Sequence, residues 1–155
     1  MTWSVSRRRM VPSAAKWLGV LGAIPFVACT VITVIGSPDL AEKASSALAI
    51  YGAIILSFLG GIQWGLAIND EADLTSLGAP PYRRLTISVM PALIGWLSLL
   101  LPRDIGFVVL ALAFALVLMV DLRAARNLEA PAWYPRLRWP LSLTVITALA
   151  VGVLA

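Results

Sequence analysis

Five apolar stretches, set apart by short polar or proline-bearing breaks, organise the chain. Each is near the ~20 residues that a helix needs to cross ~30 Å of hydrocarbon. The pattern predicts helices over 14–36, 44–68, 85–101, 104–122 and 139–154. The breaks fall at Gly36-Ser37-Pro38-Asp39, at 69–81, at Leu101-Pro102-Arg103-Asp104 and between Ala130 and Pro140. Ser37 suits a helix cap, with Pro38 in the first turn. The Pro102 link is short, so the third and fourth helices should form an antiparallel hairpin. Pro25 and Pro91 fall inside helices, where each removes a backbone hydrogen bond and favours a kink that can open a cavity. The expected fold is all-α, a single membrane domain over 1–155 built as a bundle of five transmembrane helices.

Composition agrees with this reading. Of 155 residues, 60% are hydrophobic and 13% charged, against about 25% charged in a soluble domain. The basic residues cluster on alternate breaks. Arg7, Arg8, Arg9, Lys16, Arg83, Arg84, Arg123, Arg126, Arg136 and Arg138 share one side, and only Lys43 and Arg103 lie on the other. The positive-inside rule then places the N-terminus in the cytoplasm and the C-terminus outside. The expected location is a bacterial inner (plasma) membrane, or the mitochondrial inner membrane with its basic face toward the matrix. Basic residues at helix ends contact membrane lipid and do not form a nucleic-acid surface.

Much chemistry is excluded by residue type. There is no histidine and one cysteine, Cys29. An internal disulfide, a Cys/His zinc site, histidine ligation of haem and a Ser-His-Asp triad are therefore ruled out within this sequence. No catalytic residue, metal or cofactor is expected. The opening MTWSVSRRRMVPSAAKW resembles a twin-arginine signal, and Phe26-Val27-Ala28-Cys29 a lipoprotein cleavage site. The apolar run continues past Cys29, so an uncleaved first helix is expected.

The second helix carries two patterns. Ala49, Ala53, Ser57, Gly61 and Gly65 recur every fourth residue, and Gly61 to Gly65 is a G-x-x-x-G pair. Residues four apart share a face, and small ones let helix backbones approach in lipid. The stripe predicts a packing seam, within the chain or between copies. Gln63 lies on roughly the opposite face, with Gly52, Leu56 and Leu59. Its amide needs partners in lipid, either on a neighbouring helix or on a ligand. Trp64 beside it suits an interface.

Two acids bound the fourth helix. Asp104 suits an N-terminal cap. Asp121 sits at a C-terminus, where the helix dipole disfavours negative charge, so it needs a cation such as Arg123, Arg126, Arg136 or Arg138, or else handles a proton or ligand. The segment 123–140 mixes Arg123, Arg126, Arg136 and Arg138 with Trp133, Tyr134 and Trp139, which predicts an interfacial loop among lipid headgroups or a docking surface. The acidic run from Asn69 to Asp73 lacks calcium-loop spacing and reads as solvated.

Four stretches carry a resemblance: LGVLGAIPF at 18–26, YGAIILSFLGGIQWG at 51–65, MPALIGW at 90–96 and WYPRLR at 133–138. Together they resemble the membrane-protein family related to transmembrane protein 69, found in bacteria and in mitochondria. The resemblance implies a five-span bundle in an inner membrane and carries over no catalytic residue. Helix number and length are also similar to the tryptophan-rich sensory proteins, but 37–43 contains no aromatic residue where that family has tryptophans. The leading functional expectation is a non-enzymatic accessory or assembly subunit, packed against other membrane subunits or a second copy. The alternative is a binder or carrier of a small hydrophobic molecule (quinone, lipid or tetrapyrrole), with Gln63, Trp64, Trp96 and Asp121 around it.

Overall fold

The computed structural model describes residues 10–68, 82–127 and 130–155. The basic cluster at Arg7, Arg8 and Arg9 and the acidic run from Asn69 to Asp73 lie outside the described residues, as do the side chains of Arg83 and Arg84. Among the described residues there are five α-helices and no strand: α1 Ser13–Ile35, α2 Pro38–Ile68, α3 Tyr82–Ser98, α4 Arg103–Arg126 and α5 Tyr134–Leu154. Four of them, α1, α2, α4 and α5, are long and apolar enough to cross a membrane; the apolar part of α3, Leu85–Ser98, is shorter.

All five helices start earlier than the apolar pattern predicts, α2 and α5 by the most, and α3 also ends early, at Ser98 and not at 101. α2 begins at Pro38, and the Ser37 carbonyl accepts its first hydrogen bond, from the Ala41 N–H at 2.8 Å. α5 begins at Tyr134 and runs on through Pro140. Proline in a first turn gives up only an N–H that has no helical partner anyway, so Pro38 and Pro135 open helices and do not interrupt them. α4 continues to Arg126, with Arg123 and Arg126 in its last turn, where cations suit the dipole. The expected loop at 123–140 thus shrinks to a short connection. Asp104 is not a cap: Pro102 occupies that position, and Asp104 sits in the first turn of α4 beside Arg103, exposed, at 3.3 Å.

Helix directions follow from which ends touch. Gly60 of α2 lies on the Ser88 carbonyl and Pro91 of α3, while Ala53 lies on Gly95; α2 and α3 therefore run antiparallel. Leu48, Phe107 and Gly152 meet at one end of the bundle, and Gln63, Asp121 and Arg138 meet at the other. α4 is therefore parallel to α2, and α5 is antiparallel to both. Gly19 packs on Leu141, and the Thr30 hydroxyl reaches the Ala148 carbonyl, so α1 runs with α5. α2 touches all four other helices. Its buried line runs through Leu48, Gly52, Leu56, Leu59 and Gly60, the face that also holds Gln63. α1 is the peripheral member, with Phe26 and Thr33 as its buried residues. Phe26 acts as a knob between Tyr51 (5.0 Å between rings) and Phe114 (6.1 Å, edge-on). Close by, Tyr51 donates to the Gly22 carbonyl at 3.0 Å, one turn before Pro25.

The small-residue stripe of α2 splits along its length. Ala53 is buried against Gly95, Ser57 returns its hydroxyl to the Ala53 carbonyl, and Ala49 is half-buried against the core. Gly61 and Gly65 face outward, and a Cβ added at either would meet nothing within 4 Å. The close approach inside the bundle falls one residue earlier, at Gly60, where an added Cβ would run into the Ser88 carbonyl oxygen. We therefore expect Gly60→Ala to lower stability by about 1–3 kcal/mol, the range for overpacking. Gly61→Ala should be neutral or stabilising by up to ~1 kcal/mol, since alanine is the better helix former. Thermal unfolding of both variants in mild detergent checks this pair. Equal destabilisation would place the seam elsewhere.

Candidate functional site

The site is built where α2, α4 and α5 meet. Asp121 is 1% exposed, in the penultimate turn of α4. Its Oδ2 accepts from Arg138 Nε at 2.6 Å and, at 3.4 Å, from the Tyr134 hydroxyl. Its Oδ1 accepts from Gln63 Nε2. One carboxylate thereby joins three helices. Arg138 and Tyr134 stand four apart at the start of α5, so both project from one face toward α4. The Arg138 side chain is buried along with its partner, with side-chain exposures of 8% and 2%.

Burial of this kind is expensive in lipid. A carboxylate without partners is costly in hydrocarbon, and a buried ion pair needs its remaining polar atoms satisfied as well. Asp121 meets that condition, with donors on both oxygens. Arg138 does not: among the described residues its Nη2 has no hydrogen-bond partner, and neither has Ser142 Oγ, one turn further along α5. Both residues line a cavity of about 150 Å³ between α1, α2, α4 and α5. The other walls are apolar, among them Phe26, Leu59, Phe114 and Val145. Leu18 and Phe58 also line it and are 70% and 64% exposed, so the cavity opens sideways between α1 and α2 onto the lipid-facing surface. A second cavity, of about 130 Å³, lies on the far side of Gln63, against Pro91, Ala113 and Val117.

The residues singled out in the sequence divide accordingly. Gln63 and Asp121 come together, and Arg138 is the cation that Asp121 takes. Trp64 and Trp96 point outward, 41% and 59% exposed, and line neither cavity. Arg123, Arg126 and Arg136 are exposed at the same end of the bundle, and Trp133 is half-buried, edge-on to Tyr134 at 6.1 Å. Arg138 and Tyr134 leave the interfacial set, because α5 starts early enough to turn them inward. Ser142 is not among the residues that the sequence singles out, although a signal for it exists: Arg138, Ser142, Val145, Leu149 and Gly152 recur every three or four residues, and all are buried.

The fold and this network define an all-α, membrane-embedded protein organised around a buried Asp-Arg pair flanked by the half-buried Gln63 and Tyr134. The family described as "Protein of unknown function (DUF3429)" matches residues 11–154, and the chain belongs to that family. It is 32% identical to Transmembrane protein 69 of Xenopus tropicalis over 149 residues, covering 96% of this chain and 57% of that protein. It is 27% identical to Transmembrane protein 69 of Mus musculus over 143 residues, covering 92% of this chain and 56% of that protein. The chain thus spans little more than half the length of these relatives. No solved structure matches it.

A graded series tests whether the ion pair governs the bundle. Gln63→Leu removes a neutral donor to the Asp121 carboxylate and should cost about 1.5–3 kcal/mol, the range for a hydrogen bond to a charged group. Arg138→Met leaves Asp121 buried and unpaired, and should cost about 3–5 kcal/mol. Adding Asp121→Leu to Arg138→Met removes both charges and should recover most of that loss. Unfolding in detergent gives the three values. A double variant less stable than Arg138→Met alone would show that the cost does not come from an unpaired charge.

Proposed function

We propose that this protein crosses an inner membrane five times, N-terminus in the cytoplasm or matrix, and binds a small lipid-soluble molecule without transforming it. The topology reading rests on helix direction. α2 ends and α4 begins at opposite ends of the bundle, so α3 is the segment that returns the chain across, although its 17 residues reach only about 25 Å. The charge bias supports the orientation. With Arg138 buried, the basic face keeps Arg7, Arg8, Arg9, Lys16, Arg83, Arg84, Arg123, Arg126 and Arg136, against Lys43 and Arg103 opposite. An alkaline phosphatase fused to the C-terminus in a bacterium should be active. A cytoplasmic reporter active at that position would reverse the assignment.

The binding reading rests on one observation: Arg138 and Ser142, which line a cavity open to the apolar surface, each carry a buried polar atom with no partner among the described residues. A buried polar atom left unpaired costs about 1–3 kcal/mol, and an occupant that accepts hydrogen bonds removes that cost. Purification in mild detergent, followed by mass spectrometry, should find a copurifying small molecule. Gly22 lines the cavity, and a Cβ there would approach only the Tyr51 hydroxyl, at 3.9 Å. Gly22→Ala should therefore stay folded, and Gly22→Leu, with thermal unfolding to check that it is folded, should copurify without the molecule. Retention of the molecule by this variant would place it elsewhere.

The accessory-subunit reading has its own support in the outward-facing Gly61 and Gly65, where a partner's helix could approach closely. Loss of a copurifying subunit from a folded Gly61→Leu protein would favour it.

A further inference from the structure

We propose that the occupant of the α1–α2–α4–α5 cavity presents an uncharged carbonyl oxygen to Arg138 and Ser142, with an apolar tail leaving between Leu18 and Phe58. The proposal deepens the binding reading above and rests on it.

The donor inventory sets the polarity of the ligand. The Nη2 of Arg138 can only donate. Ser142 Oγ carries a hydroxyl proton that no described protein atom receives. Residues 138 and 142 are four apart on α5 and so stack on one face, one turn above the other. A single oxygen with two lone pairs, as in a carbonyl, can accept from both.

The charge inventory sets its ionisation. Arg138 is the cation nearest the cavity, and its Nε is already committed to Asp121 at 2.6 Å. The pair is neutral as a unit. A carboxylate or phosphate placed at Nη2 would make one guanidinium serve two anions within a few ångströms of each other, in surroundings that screen their repulsion poorly. A neutral acceptor meets the same two donors without that repulsion.

Volume and opening set its size and route. About 150 Å³ matches the engineered apolar cavity, also ~150 Å³, that holds one benzene ring. It is well below the ~300–1,000 Å³ of a site enclosing a drug-sized ligand. A single ring or an ester group fits, and a tetrapyrrole does not. The rest of the molecule must lie outside, and the exposed rim at Leu18 and Phe58 leads into the acyl-chain region. Two sources share this chemistry: the ring carbonyl of a lipid-soluble quinone and the ester carbonyl of a glycerolipid.

The test uses the full chain in a neutral detergent, with three probes: a short-tailed benzoquinone, a short-chain diacylglycerol and a carboxylate detergent of similar tail length. Thermal unfolding and tryptophan fluorescence follow binding. Saturable stabilisation by the benzoquinone or by the diacylglycerol, and not by the carboxylate, is expected, and the one that acts identifies the source. Ser142→Ala removes no protein hydrogen bond, so it should keep or raise the unfolding temperature without probe. It should weaken the active probe about two- to tenfold, the effect of one neutral hydrogen bond. Stabilisation by the carboxylate alone would overturn the neutral-carbonyl inference and leave the binding reading standing. No stabilisation by any probe, with no copurifying molecule, would overturn both and assign the two donors to bound water. Unchanged affinity in a folded Ser142→Ala protein would also overturn the inference.

Discussion

The ion pair between Asp121 and Arg138 is the constraint around which the rest of this bundle is arranged. Hydrocarbon gives helices no hydrophobic reason to associate, but it makes an unpaired charge intolerable. A carboxylate near the C-terminus of α4 has the helix dipole against it as well. Holding it there requires α5 to present Arg138 and Tyr134, and α2 to present Gln63. Once those contacts are made, the rotation and depth of three helices are specified together at one end of the bundle.

The opposite end and the flanks are set by shape. The backbone of α2 can lie on α3 because Gly60 meets a carbonyl and Ala53 meets Gly95. The first turn of α4 folds back on α3 because Gly106 sits against the Ser98 carbonyl, where a Cβ would stand at 2.6 Å. Gly152 admits Phe107 and Leu48 between α5, α4 and α2. Charge thus fixes the basic end, and close packing of small against large residues fixes the rest. A bundle with dispersion alone would have many near-equal rotations of each helix, and the directional contacts at Asp121 select among them.

This division explains what the sequence made legible. Helix number and order were readable because bilayer thickness imposes the length of each apolar run, and Gln63 and Asp121 stood out because polar atoms in such runs must be answered. Helix rotation was not readable from composition. Arg138 sits in a segment rich in Arg and Trp, and only the early start of α5 turns it inward. Pro135 and Pro140 concealed that start, since proline marks helix ends more often than it enters their first turns. Gly61 and Gly65 formed the more visible motif, yet inside the chain Gly60 makes the contact. One residue is about 100° of rotation, and periodicity alone does not say which of two adjacent faces meets the neighbour.

The same logic locates the weak side of the bundle. α1 takes no part in the charged network and contributes Phe26 and Thr33 to the buried set. It is held by the Phe26 knob, the Tyr51 hydrogen bond to Gly22, and Leu141 against Gly19. Arg138 and Ser142, each with one buried polar atom that has no partner among the described residues, line the space that α1 only partly closes. Where the network is complete, on the α2–α4 side, Asp121 has every oxygen answered. Where two polar atoms lack partners among the described residues, the wall is the helix with the least burial, and the opening beside it leads to the apolar surface. An acceptor arriving from the membrane would complete the hydrogen bonding and add apolar contact to α1 in one step, so its binding should stabilise the least-anchored helix most.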